Sequence, residues 1–109
     1  MNSSLSYREL VGHTMNHDLG WRDALVNVGL GLTGEAGEVA DLIKKHIAQG
    51  HELNRDALIK ECGDLHWYLE YAAIILGTTT DEIRAINTKK LLARYPGGFT
   101  VKASTERQA

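Results

Sequence analysis

With 109 residues, a formal charge of -2 and 43% apolar residues, the chain has the make-up of one ordinary globular domain. That balance argues against intrinsic disorder and against a basic nucleic-acid-binding surface. A single cysteine rules out an internal disulfide, no run approaches the roughly 18 apolar residues of a membrane span, and Met1 to Leu10 lacks the pattern of a secretory leader, so a cytoplasmic protein is expected.

Apolar residues recur at helical spacing along the chain, and no alternating strand pattern bounded by turn residues interrupts them. The expectation is an all-α, four-helix antiparallel bundle-like domain over residues 1–99 with a polar, loose tail at 100–109. The first helix is expected over Ser6–His17, opened by Ser6 and Glu9 at capping-box spacing, with a loop from Asp18 to Arg22. A second runs from about Asp23 to Gln49 and stops at Gly50. Gly29, Gly31, Gly34 and Gly37 each cost about 1 kcal/mol relative to alanine inside a helix, so close packing against a neighbour is expected to justify them. Gly29 to Gly34 also spells GxGxxG, but no strand precedes it and no βαβ unit has room to follow, so the dinucleotide-binding meaning is rejected. Asn54 caps a third helix over Arg55–Leu76 with Gly77 as its stop, and Cys62 falls in its apolar pattern as a core residue. Thr79 and Glu82 open a fourth helix that reaches Tyr95 before Pro96, Gly97 and Gly98 end it.

Four acids carry the chemical signal. Glu35 and Glu38 lie three residues apart on the second helix, and Glu61 and Asp64 repeat that spacing on the third. Residues three apart project from one side of a helix, so antiparallel neighbours can turn the two pairs toward each other. Ala36, Val39, Ala40, Leu42, Ile43 and Ile47 form an apolar arc that contains Glu35 and has Glu38 at its edge. Leu58, Cys62, Leu65, Leu69, Ala72, Ala73 and Leu76 form a second arc, with Glu61 inside and Asp64 at the margin. Inward-facing carboxylates repel one another and cost several kcal/mol unless a cation compensates. An oxygen-only ligand set favours a hard ion such as Mg²⁺, with Mn²⁺ as the alternative, and Mg²⁺ commonly shares its shell with phosphates. The plainer reading makes all four acids solvated helix-surface groups.

The segments GEAGEVAD (Gly34 to Asp41), ECGDLHWY (Glu61 to Tyr68) and NTKKLLARYPGGF (Asn87 to Phe99) together resemble MazG-like all-α nucleoside triphosphate pyrophosphohydrolases, over roughly residues 5–99. The resemblance implies cleavage of a nucleoside triphosphate between the α and β phosphorus, giving the monophosphate and pyrophosphate. Carried over by motif, Glu35, Glu38, Glu61 and Asp64 become Mg²⁺ ligands. Glu38, or Glu35 beside it, would position or deprotonate the attacking water.

Lys45, seven residues beyond Glu38, and Lys60, next to Glu61, are candidate phosphate contacts, and Asn87, Lys90 and Arg94 match the family's last helix. Tyr68, one turn after Asp64, could lie beside the sugar or base, and His13, Asn16, His17 and Trp21 are further nucleoside candidates that do not spell one base. His13 and His17 have the i, i+4 spacing of a metal pair, but no third ligand accompanies them. A di-iron bundle fails for want of Glu-x-x-His pairs, His66 standing five residues after Glu61. Trp67 and Ile74 point away from the main arc of their helix, which suggests a subunit interface and a homo-oligomer, dimer or tetramer. A non-catalytic helical oligomerisation or metal-binding module is the alternative function.

Overall fold

The computed structural model describes residues 4–106; residues 1–3 and 107–109, the ends of the expected domain and tail, lie outside them. The described residues are all-helical: α1 (Tyr7–Thr14), α2 (Trp21–Gln49), α3 (Arg55–Leu76), α4 (Thr80–Arg94) and α5 (Val101–Thr105). They fall into two compact units that meet at the Gly77–Thr78 bond.

Capping chemistry sets most helix ends. Ser6 accepts from the amide of Glu9 at 3.1 Å while Glu9 accepts from the amide of Ser6 at 3.1 Å, closing the reciprocal box that starts α1. The helix then ends at Thr14, short of the expected His17, because Met15 turns extended. The amide of Ala57 donates to the Asn54 side chain at 3.1 Å, and Gly50 and Gly77 close α2 and α3 with φ of 72° and 70°. A glycine takes that left-handed conformation without the clash a Cβ brings. α2 begins two residues earlier than expected, at Trp21.

In the first unit α2 and α3 form the main pair, joined by the short segment from Gly50 to Asn54, and α1 lies against α3. The pair is antiparallel: the Trp21 indole at the start of α2 donates to the carbonyl of Ile75 near the end of α3 at 3.2 Å. α2 stays helical through all four glycines. Close packing explains only one of them. A Cβ on Gly31 would overlap the Tyr68 ring, whereas Gly29, Gly34 and Gly37 face open space.

The core gathers around Tyr71, with Val11, Ala24 and Val28 buried beside it. Trp67 and Ile74, expected at a subunit interface, instead pack partly buried against this core, and the Trp67 indole donates to Thr14 Oγ1 at 2.8 Å. α1 supplies Thr14 to that bond and Val11 to the core. Conversely, several members of the expected apolar arcs are uncovered in the single chain, including Ile43, Ile47, Leu69 and Leu76. Cys62 is likewise exposed, not a core residue.

Glu70 is a buried acid that periodicity did not mark: it is 6% exposed, and one of its carboxylate oxygens, like the Tyr71 hydroxyl, is buried without a hydrogen-bond partner. A buried acceptor left unpaired costs about 1–3 kcal/mol. Glu70→Leu is therefore expected to raise the melting temperature, by about 4–8 °C for each kcal/mol recovered in a domain of this size. A fall of several degrees in thermal denaturation would show instead that the carboxylate makes a stabilising contact.

In the second unit the Thr79 hydroxyl accepts from the amide of Glu82 at 3.0 Å and starts α4. Gly98, at φ 91°, completes the turn after Pro96, with its amide donating to the Tyr95 carbonyl at 3.1 Å. The tail is not loose where it is described: Thr100 caps α5, its hydroxyl accepting from the amide of Ala103 at 2.9 Å.

Candidate metal and nucleotide site

Antiparallel α2 and α3 bring three of the four acids together. One carboxylate oxygen from each of Glu35, Glu61 and Asp64 lies within 4.8 Å of the others. Glu35 and Glu61 are half-buried between the helices, and Asp64 is exposed at the rim. Glu38 is not in this group. It is exposed further along α2 and acts electrostatically on Lys45.

The trio is electrostatically frustrated. The Glu61 carboxyl is held above the ordinary glutamate value of 4.5, first by a hydrogen bond shared with Glu35, then by burial and by repulsion from Glu35 and Asp64. A proton held between carboxylates is the response expected where like charges meet without a cation. The donor set fits a hard divalent ion. Neighbouring ligands on octahedral Mg²⁺ at ~2.1 Å stand about 3.0 Å apart and opposite ones about 4.2 Å, so the three oxygens, within 4.8 Å of one another, would draw closer to share one coordination shell.

Beside the trio is an open cleft of about 300 Å³, lined by Glu35, Asp64, Trp67 and Tyr68. Trp67 and Tyr68 meet edge to face with ring centroids 4.9 Å apart. Tyr68 is thus where the motif spacing suggested, next to the acids. Trp67 was missed as a lining residue because its angular position on α3 says nothing of the cleft that α2 and α3 form together. The negative field of the acids reaches Tyr7 on α1: burial first, then the charges of Glu70 and Asp64, raise its phenol above the usual value.

The remaining candidates do not converge on the trio within the first unit. Lys45 is ion-paired with Asp41 at 2.8 Å, which lowers the Asp41 carboxyl through that hydrogen bond and raises the Lys45 ammonium. Lys60 is exposed beside Glu61. His13 and His17 border a separate shallow recess with Glu9 and Gly12, and His17 Nε2 lies 2.6 Å from the Gly12 carbonyl. Since His17 stands beyond the end of α1, the helical spacing of a histidine metal pair is lost. The Asn16 side chain accepts from the amide of Asp18 at 3.0 Å in the turn that follows. Trp21 begins α2, fourteen residues and about 21 Å of helix axis before Glu35. Asn87, Lys90 and Arg94 lie on α4, in the second unit.

Three acids converging from two antiparallel helices in an all-helical fold is the arrangement that metal-binding helical bundles use. The sequence profile of the MazG nucleotide pyrophosphohydrolase domain matches residues 26–99, and the chain belongs to that family. It is also similar to the gene 37 protein of Mycobacterium phage L5, with 35% identity over 80 residues, 70% of each chain. No solved structure matches it significantly. At the family level the chain is a pyrophosphohydrolase-type hydrolase. No described helix is long and apolar enough to cross a membrane.

Proposed function

We propose that this protein is a Mg²⁺-dependent nucleoside triphosphate pyrophosphohydrolase that cleaves the α–β phosphoanhydride to a nucleoside monophosphate and pyrophosphate. The convergence of Glu35, Glu61 and Asp64 in a chain of the MazG family carries the reading. The three carboxylates would hold the ion, with Mn²⁺ as a substitute, and Glu38, exposed one turn along α2, would complete the shell or take the proton of the attacking water, a role Glu35 could share. Bound metal supplies charge neutralisation at the phosphates and a more acidic water. The chain's own part is placement: rigid helices fix the acids, and the Trp67–Tyr68 cleft offers an aromatic wall for the nucleoside.

Lys45, Lys60, Asn87, Lys90 and Arg94 remain the proposed phosphate contacts. For Lys45 this requires exchanging Asp41 for a phosphate oxygen, an exchange of one exposed anion for a more highly charged one. The test is a panel of canonical and modified triphosphates with Mg²⁺, scored for pyrophosphate against orthophosphate. Pyrophosphate as the first product supports the reading, and orthophosphate would indicate γ-phosphate cleavage.

We also propose that the protein works as a homo-oligomer in the cytoplasm. Val26, Leu30, Ile43 and Ile47 leave α2 with exposed apolar side chains, and Gly34 and Gly37 on the same helix offer room for a second helix to approach. Light scattering at micromolar concentration should give the mass of a dimer or tetramer; the mass of a single 12.0 kDa chain would count against it.

A further inference from the structure

We infer that Gly31 is a positioning residue for the cleft beside the carboxylates: the space left by its missing side chain seats the Tyr68 ring and fixes the cleft's aromatic wall. This rests on reading the cleft as the nucleotide site. Of the eleven glycines, Gly31 is the one where a Cβ would meet other atoms, and the atoms it would meet are Cδ1, Cε1 and Cζ of Tyr68. Two of the other glycines, Gly50 and Gly77, are explained by positive φ at helix ends. Gly31 is not, because it lies in the interior of α2, where glycine is the poorest choice short of proline. Its presence therefore calls for a packing reason, and the ring supplies one.

The register of the helix pair ties this seat to the acids. Gly31 is one turn before Glu35 on α2, and Tyr68 is one turn after Asp64 on antiparallel α3. The same two faces thus carry the ring-on-glycine contact at one level and the acid contacts at the next. Tyr68 is held from two directions, with its ring over Gly31 and against the edge-to-face Trp67 at 4.9 Å. A tyrosine so confined presents one fixed surface to the cleft that Glu35 and Asp64 also line.

The overlapping atoms belong to the far end of a side chain, not to backbone. A methyl group at position 31 should therefore tilt the ring and leave the helices in place, all the more since alanine is the better helix former. The experiment compares Gly31→Ala, Tyr68→Leu and the double variant by far- and near-UV circular dichroism and by steady-state kinetics on the best triphosphate with Mg²⁺. Gly31→Ala should keep its helical signal, change the near-UV signal of the Trp67–Tyr68 pair, and raise KM by about tenfold, the scale of one lost aromatic contact, with kcat within about threefold. In the Tyr68→Leu background the same substitution should change KM by less than about twofold, because contacting residues are non-additive.

An unchanged near-UV spectrum in Gly31→Ala, or an equal rise of KM in both backgrounds, would overturn the proposal. Should the native protein turn over no triphosphate, the catalytic reading falls by itself, while the spectrum still decides whether Gly31 seats the ring.

Discussion

Replacing Glu61 by glutamine should lower kcat/KM for pyrophosphate release by about 10³-fold, the equivalent of roughly 4 kcal/mol of lost metal-assisted charge stabilisation. The amide keeps the shape of the side chain but removes the charge from the position where Glu35, Glu61 and Asp64 converge. The same substitution relieves repulsion in the trio, so the metal-free variant should melt at or above the temperature of the native protein while its response to Mg²⁺ weakens. Loss of turnover without loss of stability separates a functional cluster from a structural one. Glu38→Gln provides the contrast, because its side chain is exposed and apart from the trio. It should keep most of the Mg²⁺-induced stabilisation yet lose most turnover. Undiminished turnover in Glu38→Gln would remove that residue from the mechanism, and an active Glu61→Gln would remove the trio.

Millimolar Mg²⁺ should raise the melting temperature on the order of 10 °C, since a ligand at 100 times its Kd stabilises the native state by about 2.7 kcal/mol. The size of the gain should depend on pH. Glu61 is held above 4.5 in the folded protein by the hydrogen bond with Glu35, by burial and by its charged neighbours. The native state consequently binds more protons than the unfolded chain between 4.5 and that raised value. Stability from the shared proton is fully present below 4.5 and is lost as pH rises through the raised value. The metal-free protein should thus become less stable on moving upward through this window, where the cluster loses its proton. Mg²⁺ takes the proton's place, so the melting shift should be larger at pH 8 than at pH 5. Thermal scans with and without chelator at the two pH values measure both effects. No shift at pH 8 would end the case for a metal site in these three carboxylates.

Amino-acid order alone marks four of the described helices and the spacing of the acids, though not α5. Ser6 with Glu9, Asn54, Thr79, Gly50 and Gly77 set helix ends through contacts within a few residues, which local order suffices to reveal. The i, i+3 spacing of the two acid pairs is likewise local, and it marks Glu38 together with the three acids that converge, Glu35, Glu61 and Asp64.

Which neighbour each helix face meets depends on how the helices pack. A helical wheel gives an angle but neither the register of the partner helix nor the element that covers a given side. For that reason Trp67 and Ile74 turned toward the core, Cys62 and Ile47 turned outward, and Glu38 stood apart from acids it resembles in spacing. The fit of Tyr68 on Gly31 arises the same way, from two residues more than thirty positions apart in the chain being brought to one level of a packed pair, and the burial of Glu70 is likewise absent from its local pattern.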